Sequence, residues 1–233
     1  MTSATKLASP DKGTIRTFFD QIAFRYDFLN SLLSFRLDHY WRAKSKKLVL
    51  DGYEQSVLDL GVGTGRFLKT FLSGKNFRRA VGVDFSSQML ERSRQDLPAN
   101  VRFVSADFHQ LPFPESSFDL VISSFTLRSV KNLKLFFDEV YRVLTPHGKA
   151  AFLCLTRPQG FFRIFYYPYI RYYLPFVGKF FSGNPEAYQF LSESIQHFQE
   201  PGTTVGLLRQ RGFQTIQVHR LTFGAATLIV AKK

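Results

Sequence analysis

Ser56-Val57-Leu58-Asp59-Leu60-Gly61-Val62-Gly63-Thr64-Gly65 is the stretch on which the reading of this 233-residue chain turns. A short apolar run of strand type ends in a G-x-G-x-G turn, and helical patterning resumes at about Arg66. Glycine in such a turn lets a ligand lie against the backbone where a side chain would block it. The helix that follows offers unpaired N–H groups to a carboxylate or phosphate. Structural turns also use glycine, so the loop gains its meaning from Asp84, 23 residues beyond Gly61 at the end of the next apolar run. In an open α/β sheet that carboxylate faces the same crevice and can accept both hydroxyls of a ribose. A dinucleotide loop would carry a third glycine where Arg66 stands. Asp107, at the end of the third run, suits an adenine amino group. Together these residues favour S-adenosylmethionine over a dinucleotide.

Around the loop the chain alternates. AVGVD (80–84), VRFVSAD (101–107), FDLVISS (118–124) and KAAFLCL (149–155) read as further strands. Helical patterns cover 87–96 and 133–144, the second followed by a Pro146-His147-Gly148 turn. Runs apolar on both faces, separated by helices, predict a parallel sheet covered on both sides. FQTIQVHRL (213–221) and FGAATLIVAKK (223–233) read as a terminal hairpin. The expected fold is therefore α/β: a doubly wound, mostly parallel seven-stranded sheet with a C-terminal antiparallel hairpin and a helical cap. Residues 14–50 read as helix, because Phe18, Ile22, Tyr26, Leu29 and Leu33 recur at three- and four-residue steps without a proline. One domain over 1–233 follows: an N-terminal helical cap (14–50), a cofactor-binding core (51–156), an aromatic and helical cap insertion (157–212) and the hairpin (213–233).

Hydrophobic residues make up 45% of the chain and aromatic ones 16%, enough for a core, which excludes wholesale disorder. No uninterrupted apolar run reaches the roughly 18 residues of a membrane span, and the polar start MTSATKLASPDKG carries no secretory signature. The single cysteine, Cys154, excludes an intramolecular disulfide and a cysteine metal cluster, and fits a reducing cytosol. His39, His109, His147, His197 and His219 are too scattered to suggest a metal site. The net charge of +13 divides into +5 over 1–50, +2 over 51–156 and +6 over 157–233. Basic ends favour polyanions, either nucleic acid or an anionic bilayer. The tract RPQGFFRIFYYPYIRYYLPFVGKFFSG (157–183) has no acid, and Arg163, Arg171 and Lys179 interrupt its rings. Pro168 and Pro175 split it into two short helices. Such a tract suits a membrane interface; an aromatic lid over the cofactor cleft is the alternative. The expected location is cytoplasmic, with peripheral contact to an anionic membrane surface.

With these residues in place, the sequence resembles the class I methyltransferases, and within them the ubiquinone/menaquinone biosynthesis C-methyltransferases of UbiE type. The stretches that carry the resemblance run from Phe19-Asp20-Gln21-Ile22-Ala23-Phe24-Arg25-Tyr26-Asp27-Phe28-Leu29-Asn30 through Asp38 to Trp41-Arg42 and the glycine loop. They continue in Phe125-Thr126-Leu127-Arg128-Ser129-Val130, Glu186-Ala187-Tyr188, Leu191-Ser192-Glu193-Ser194-Ile195 and Leu221-Thr222-Phe223-Gly224-Ala225-Ala226. The resemblance implies that Asp59, Gly61, Gly63, Thr64, Gly65, Asp84, Asp107, Phe108 and Ser124 hold S-adenosylmethionine. It implies C-methylation of a lipophilic polyprenyl quinol, demethylmenaquinol to menaquinol, with a benzoquinol of ubiquinone biosynthesis as the near alternative. The family's usual L-R-N-V reads Leu127-Arg128-Ser129-Val130 here, Cys154 replaces an acid near the fifth strand's end, and Pro146-His147-Gly148 replaces a two-glycine turn.

Methyl transfer to carbon needs an electron-rich acceptor, close alignment and a stabilised phenolate. Arg128 suits the phenolate by charge but cannot act as a base, since guanidinium stays protonated in proteins. Tyr26, Asp27, Asp38 and His39 are the candidates for that role. An RNA methyltransferase and a non-catalytic S-adenosylmethionine-binding assembly factor remain as rivals. Nucleic acid is disfavoured because Ser123-Ser124-Phe125-Thr126 stands where exocyclic-nitrogen enzymes carry N/D-P-P-Y/F, and Cys154 lies in an apolar run. A homo-oligomer or a quinone-synthesis complex is the open expectation for protein partners.

Overall fold

The computed structural model describes residue 27 and residues 31–158, 160–162, 164, 168–173 and 201–233. Tyr26, the earlier part of the N-terminal cap and most of the cap insertion lie outside the described residues. A seven-stranded sheet runs in the order β3-β2-β1-β4-β5-β7-β6. Its strands are β1 (Ser56–Leu60), β2 (Arg79–Asp84), β3 (Arg102–Ser105), β4 (Phe118–Ser124), β5 (Leu144–Leu155), β6 (Thr215–Leu221) and β7 (Ala226–Lys232). The first five are parallel, and β7 lies antiparallel between β5 and β6. The described helices are α1 (Leu37–Val49), α2 (Arg66–Leu72), α3 (Ser87–Asp96), α4 (Leu133–Val143) and α5 (Pro201–Arg211). The expected α/β class, the parallel core and the terminal hairpin are all present.

Side-chain alternation divides the interior into two layers. Leu58, Leu60, Val81, Val83, Val121, Phe152 and Ile229 face one way, against Phe136, Phe137 and Val140 of α4 and Leu208 of α5. Val57, Ala80, Leu120, Ile122, Leu153 and Leu228 face the other, against Trp41 of α1, Phe67 and Phe71 of α2 and Leu90 of α3. Phe137 and Phe152 meet edge to face at 5.3 Å, and truncating either fully buried ring would cost about 3–5 kcal/mol. Side chains cap two helices: Ser86 accepts from the Met89 amide at 3.1 Å and Asn132 from the Leu135 amide at 3.2 Å.

Two expectations need correction. The helix expected to run unbroken to residue 50 stops before α1, where Phe35 and Arg36 adopt left-handed φ values of 49° and 62°. The Arg36 amide bonds to the Ser31 carbonyl at 2.7 Å and the Phe35 amide to Leu32 at 3.1 Å, the paired closure that ends many helices. That closure usually uses glycine, so a Phe-Arg pair gave no warning of it. Strand β5 also begins at Leu144, before the expected residue 149. The Pro146-His147-Gly148 turn survives as an irregularity inside it, with His147 at φ 65° and a register shift opposite Phe118–Leu120.

At the opposite end of the sheet from the strands' carboxyl termini, Glu54 forms a buried clamp. It accepts from Lys149 at 2.7 Å, from Lys75 at 2.8 Å and from the Asp51 amide at 3.0 Å. Burial alone would raise its carboxyl, but the two ammonium groups and the amide outweigh that and hold it down at about 2. Glu54→Gln should cost about 3 kcal/mol in urea unfolding at neutral pH. The parent's advantage should be complete above 4.5 and fade as pH falls toward about 2, because only the unfolded chain takes up the proton in that window.

Candidate active site

Strand order reverses between β1 and β4, so their following loops diverge and leave a crevice at the carboxyl ends of the strands. The three loop glycines serve different ends. Gly61, at φ 75°, would bring a Cβ within 2.3 Å of Thr126 Oγ1 and 2.6 Å of Thr126 Cγ2, so it lets the loops after β1 and β4 touch. Gly65, at φ 85°, lies against Leu97 and Ser93. Gly63, at φ 53°, has nothing within 4 Å of the same point. Of the three, Gly63 opens onto free space while holding a turn that glycine adopts best. A fourth glycine went unread in the sequence: Gly82 of β2 makes room for Val62, whose Cγ2 would lie 2.9 Å from an added Cβ.

Two aspartates govern this loop. Asp84 accepts the Gly63 amide on Oδ2 at 2.9 Å and the Ser86 amide on Oδ1 at 3.0 Å. A carboxylate oxygen can accept more than one bond, so these two contacts do not by themselves preclude a ribose diol. Asp59 is 1% exposed and shares the face of Val57. Burial, and secondly the charge of Asp84, push its carboxyl up to about 8. The Leu68 amide is too poorly placed to form a proper hydrogen bond, and it and the Arg42 charge offset only part of that rise. Asp59 is thus a buried acid whose oxygens lack a formed hydrogen bond among the described residues, beside a loop that opens on space.

The N-terminal cap closes over the loop through charge. Thr64 donates to Asp27 Oδ1 at 2.7 Å, and Arg66 Nε pairs with the same oxygen at 3.1 Å. Arg66 Nη1 also donates to Ser31 Oγ at 2.9 Å and lies 3.8 Å from Asp38 Oδ2. A cation in the first turn of a helix opposes the helix dipole, so Arg66 needs these anions. Asp38 is 2% exposed and accepts from Arg42 at 2.5 Å and from Ser34 at 2.8 Å. Burial would raise its carboxyl, but the Arg42 charge and these bonds hold it below the ordinary carboxylate value. Such a group positions the cap and is a poor proton acceptor. His39 is exposed, 3.2 Å from Ser31 Oγ and 3.4 Å from Arg66 Nη1, on the outer side of this network. Arg42 sits 5.3 Å above the Phe125 ring, and Trp41 meets the same ring edge-on at 6.3 Å. Phe125, at φ 59°, carries backbone strain directly after β4.

The remaining sequence candidates lie around the same end of the sheet. Ser124 ends β4, and Arg128 is half-buried in the short turn Leu127–Ser129. The Ser129 hydroxyl beside it is shielded from solvent and meets no partner among the described residues. Asp107 follows β3, where it accepts from the His109 amide at 3.1 Å and contacts His109 Nδ1 at 2.7 Å. Phe108 commits its ring to the core between Phe85 and Phe136, each 6.2 Å away. Cys154 is buried and its thiol is pushed up to about 12 by desolvation, as expected of an inert core residue. Asp119 of β4 accepts the Ser56 amide at 2.9 Å and that of Gln55 at 3.0 Å, a tie to the start of the neighbouring strand β1. Among the described residues no cluster of His, Cys, Asp or Glu could hold a metal ion.

Two measurements probe the loop. Gly61→Ala should cost about 3 kcal/mol in chemical unfolding, since both branches of the stiff Thr126 side chain obstruct the new methyl. Gly63→Ala should cost only the backbone strain of about 1 kcal/mol, yet weaken S-adenosylmethionine uptake in calorimetry. Asp59 binds a proton in the folded chain that the unfolded chain has lost, so its contribution is complete below 3.8 and disappears as pH rises through about 8. Asp59→Asn should therefore lose less stability than the parent across that window in thermal unfolding.

Comparison with known proteins agrees with this architecture. A demethylmenaquinone methyltransferase of Thermus thermophilus is 36% identical over 92% of this chain and 99% of its own length. One from Tropheryma whipplei is 37% identical, with 92% and 89% covered, and one from Thermotoga maritima is 34% identical, with 91% and 93% covered. Among solved structures, a SAM-dependent methyltransferase of Thermotoga maritima superposes with a TM-score of 0.67 at 19% identity, covering 94% of this chain and 99% of that one. Phosphoethanolamine N-methyltransferase 2 of Haemonchus contortus, solved with S-adenosyl-L-methionine, gives 0.66 at 17% identity, covering 94% and 60%. Residues 6–233 match the ubiE/COQ5 methyltransferase family throughout, and the chain belongs to that family.

Proposed function

We propose that this protein methylates a ring carbon of a polyprenyl quinol, converting demethylmenaquinol to menaquinol with S-adenosylmethionine as the methyl donor. The relatives of nearly equal length support the reaction, and Gly63 is the observation that carries it at the site. Its amide is fixed by Asp84 while the space over its α-carbon is open, as a ligand pressed against the backbone requires. The residues fit the cofactor: the open Gly63 turn and the Asp84 carboxylate that fixes it are the groups that would hold it. When bound, S-adenosylmethionine supplies a methyl group on a positively charged sulfur, an electrophile that needs no metal.

The protein's own contribution is to hold a nucleophilic quinol and keep water away. Arg128, beyond the end of β4, places a permanent positive charge where the ionised quinol oxygen can rest, which favours the electron-rich form of the ring. Phe125, three residues before Arg128, lies under Arg42 and meets the Trp41 ring edge-on. Asp38 and Arg66 hold the cap against the glycine loop. Relatives named for demethylmenaquinone favour the naphthoquinol ring over the benzoquinol one.

Labelled S-adenosylmethionine, offered with a reduced short-chain demethylmenaquinone, tests the reading. The parent should label the quinol. Arg128→Ala should lower kcat about 100- to 1,000-fold while calorimetric uptake of the cofactor stays at the parent level. Parent-rate turnover by that variant would remove Arg128 from the chemistry, and a preference for the benzoquinol would move the enzyme to ubiquinone synthesis.

A further inference from the structure

Two turns hold phenylalanine where asparagine or glycine is more at ease. Phe35 has φ 49° and Phe223 has φ 56°, and each is 65% exposed. Neither ring offsets that strain by entering the core. Both meet the aromatic tract instead. Phe223 stacks on Phe162 with centroids 3.7 Å apart and planes 11° from parallel. Phe35 lies 5.8 Å from Tyr173 and 6.0 Å from Tyr169, whose hydroxyl donates to the Leu33 carbonyl. Trp41 Nε1 donates to Thr222 Oγ1 at 2.8 Å, which ties α1, just after Phe35, to the hairpin turn that carries Phe223.

The exposed residues around these two turns have both the apolarity and the charge of a membrane-interface element. Phe161 is 69% exposed, Tyr172 68% and Ile164 63%, far more aromatic surface than scattered exposure explains. Arg36, Arg157 and Arg171 are exposed beside these rings, and residues 157–183 contain no acid. Rings alternating with arginines match the headgroup layer of an anionic bilayer, where aromatic groups sit at the polar boundary and guanidinium groups meet phosphate. We propose that Phe35, Phe162, Tyr172 and Phe223, flanked by Arg36 and Arg171, form a docking face that enters the surface of an anionic phospholipid bilayer. The face extends beyond the aromatic tract to two turns far from it in sequence, and it is independent of the methyl-transfer reading.

Sedimentation with vesicles of mixed phosphatidylglycerol and phosphatidylcholine tests it without any substrate. The parent should pellet with these vesicles, less with phosphatidylcholine alone, and less as salt rises. Phe35→Asn combined with Phe223→Asn should lose about tenfold or more in vesicle affinity, since two rings no longer leave water. Asparagine accepts left-handed backbone more readily, so the same variant should keep or gain thermal stability. Arg36→Gln with Arg171→Gln should lose about fivefold per charge and flatten the salt dependence. Failure of the parent to bind would overturn the proposal. So would a double asparagine variant that melts early yet still pellets, which would make the rings internal packing, or tRNA in place of vesicles as the ligand these substitutions abolish. Methylation of a soluble, prenyl-free quinol should be unchanged in the double asparagine variant, which separates docking from catalysis.

Discussion

Asp84 accepts the amide of Gly63 at 2.9 Å and that of Ser86 at 3.0 Å, so one carboxylate at the end of β2 fixes both the loop after β1 and the entry to α3. The Val83 carbonyl reinforces this by accepting the Gly61 amide at 2.8 Å and the Val62 amide at 3.0 Å. The loop is therefore held by its neighbouring strand as much as by its own conformation. Val62 can seat there because Gly82 leaves room beneath it. The Asp84 carboxylate also bears on Asp59. Two carboxylates near one another in a buried site do not both ionise readily, and Asp59, wholly enclosed, is the one that favours its proton.

Charge also decides how the N-terminal cap meets the core. Arg66 occupies the first turn of α2, where its charge is unfavourable to the helix alone. Asp27 and Asp38, brought from a segment more than twenty residues earlier, reverse that balance. Asp38 is in turn held by Arg42, whose guanidinium covers the Phe125 ring at the end of β4. A chain of contacts thus runs from the cofactor loop through the cap to the strand end that precedes Arg128.

Aromatic residues perform two separate tasks. Phe118, Phe136, Phe137 and Phe152 fill the layer under α4 with edge-to-face contacts and little exposure. A second set remains on the surface around the left-handed turns at residues 35–36 and 222–223. No helix among the described residues is long and apolar enough to cross a membrane.

Elements set by local pattern were legible in the sequence. Strand β1, its glycine turn, Asp84 at the end of β2, the bounds of α3 and the terminal hairpin all follow from periodicity and turn chemistry over a few residues. Cys154 could be assigned to the core because its neighbours are apolar on both sides. Other features depend on partners distant in the chain. The break at Phe35 and Arg36 has no glycine to announce it, and the rings that meet Phe35 come from residues 169 and 173, far along the chain. The need for Gly82 is created by Val62, and the position of Arg66 by Asp27 and Asp38. Asp38 reads as a candidate base in one dimension and becomes an ion-paired brace in three. A sequence determines which residues form a strand or a turn, because those preferences are settled between near neighbours. Which carboxylate keeps its charge is settled by burial and by the charges nearby, and only the assembled fold fixes both.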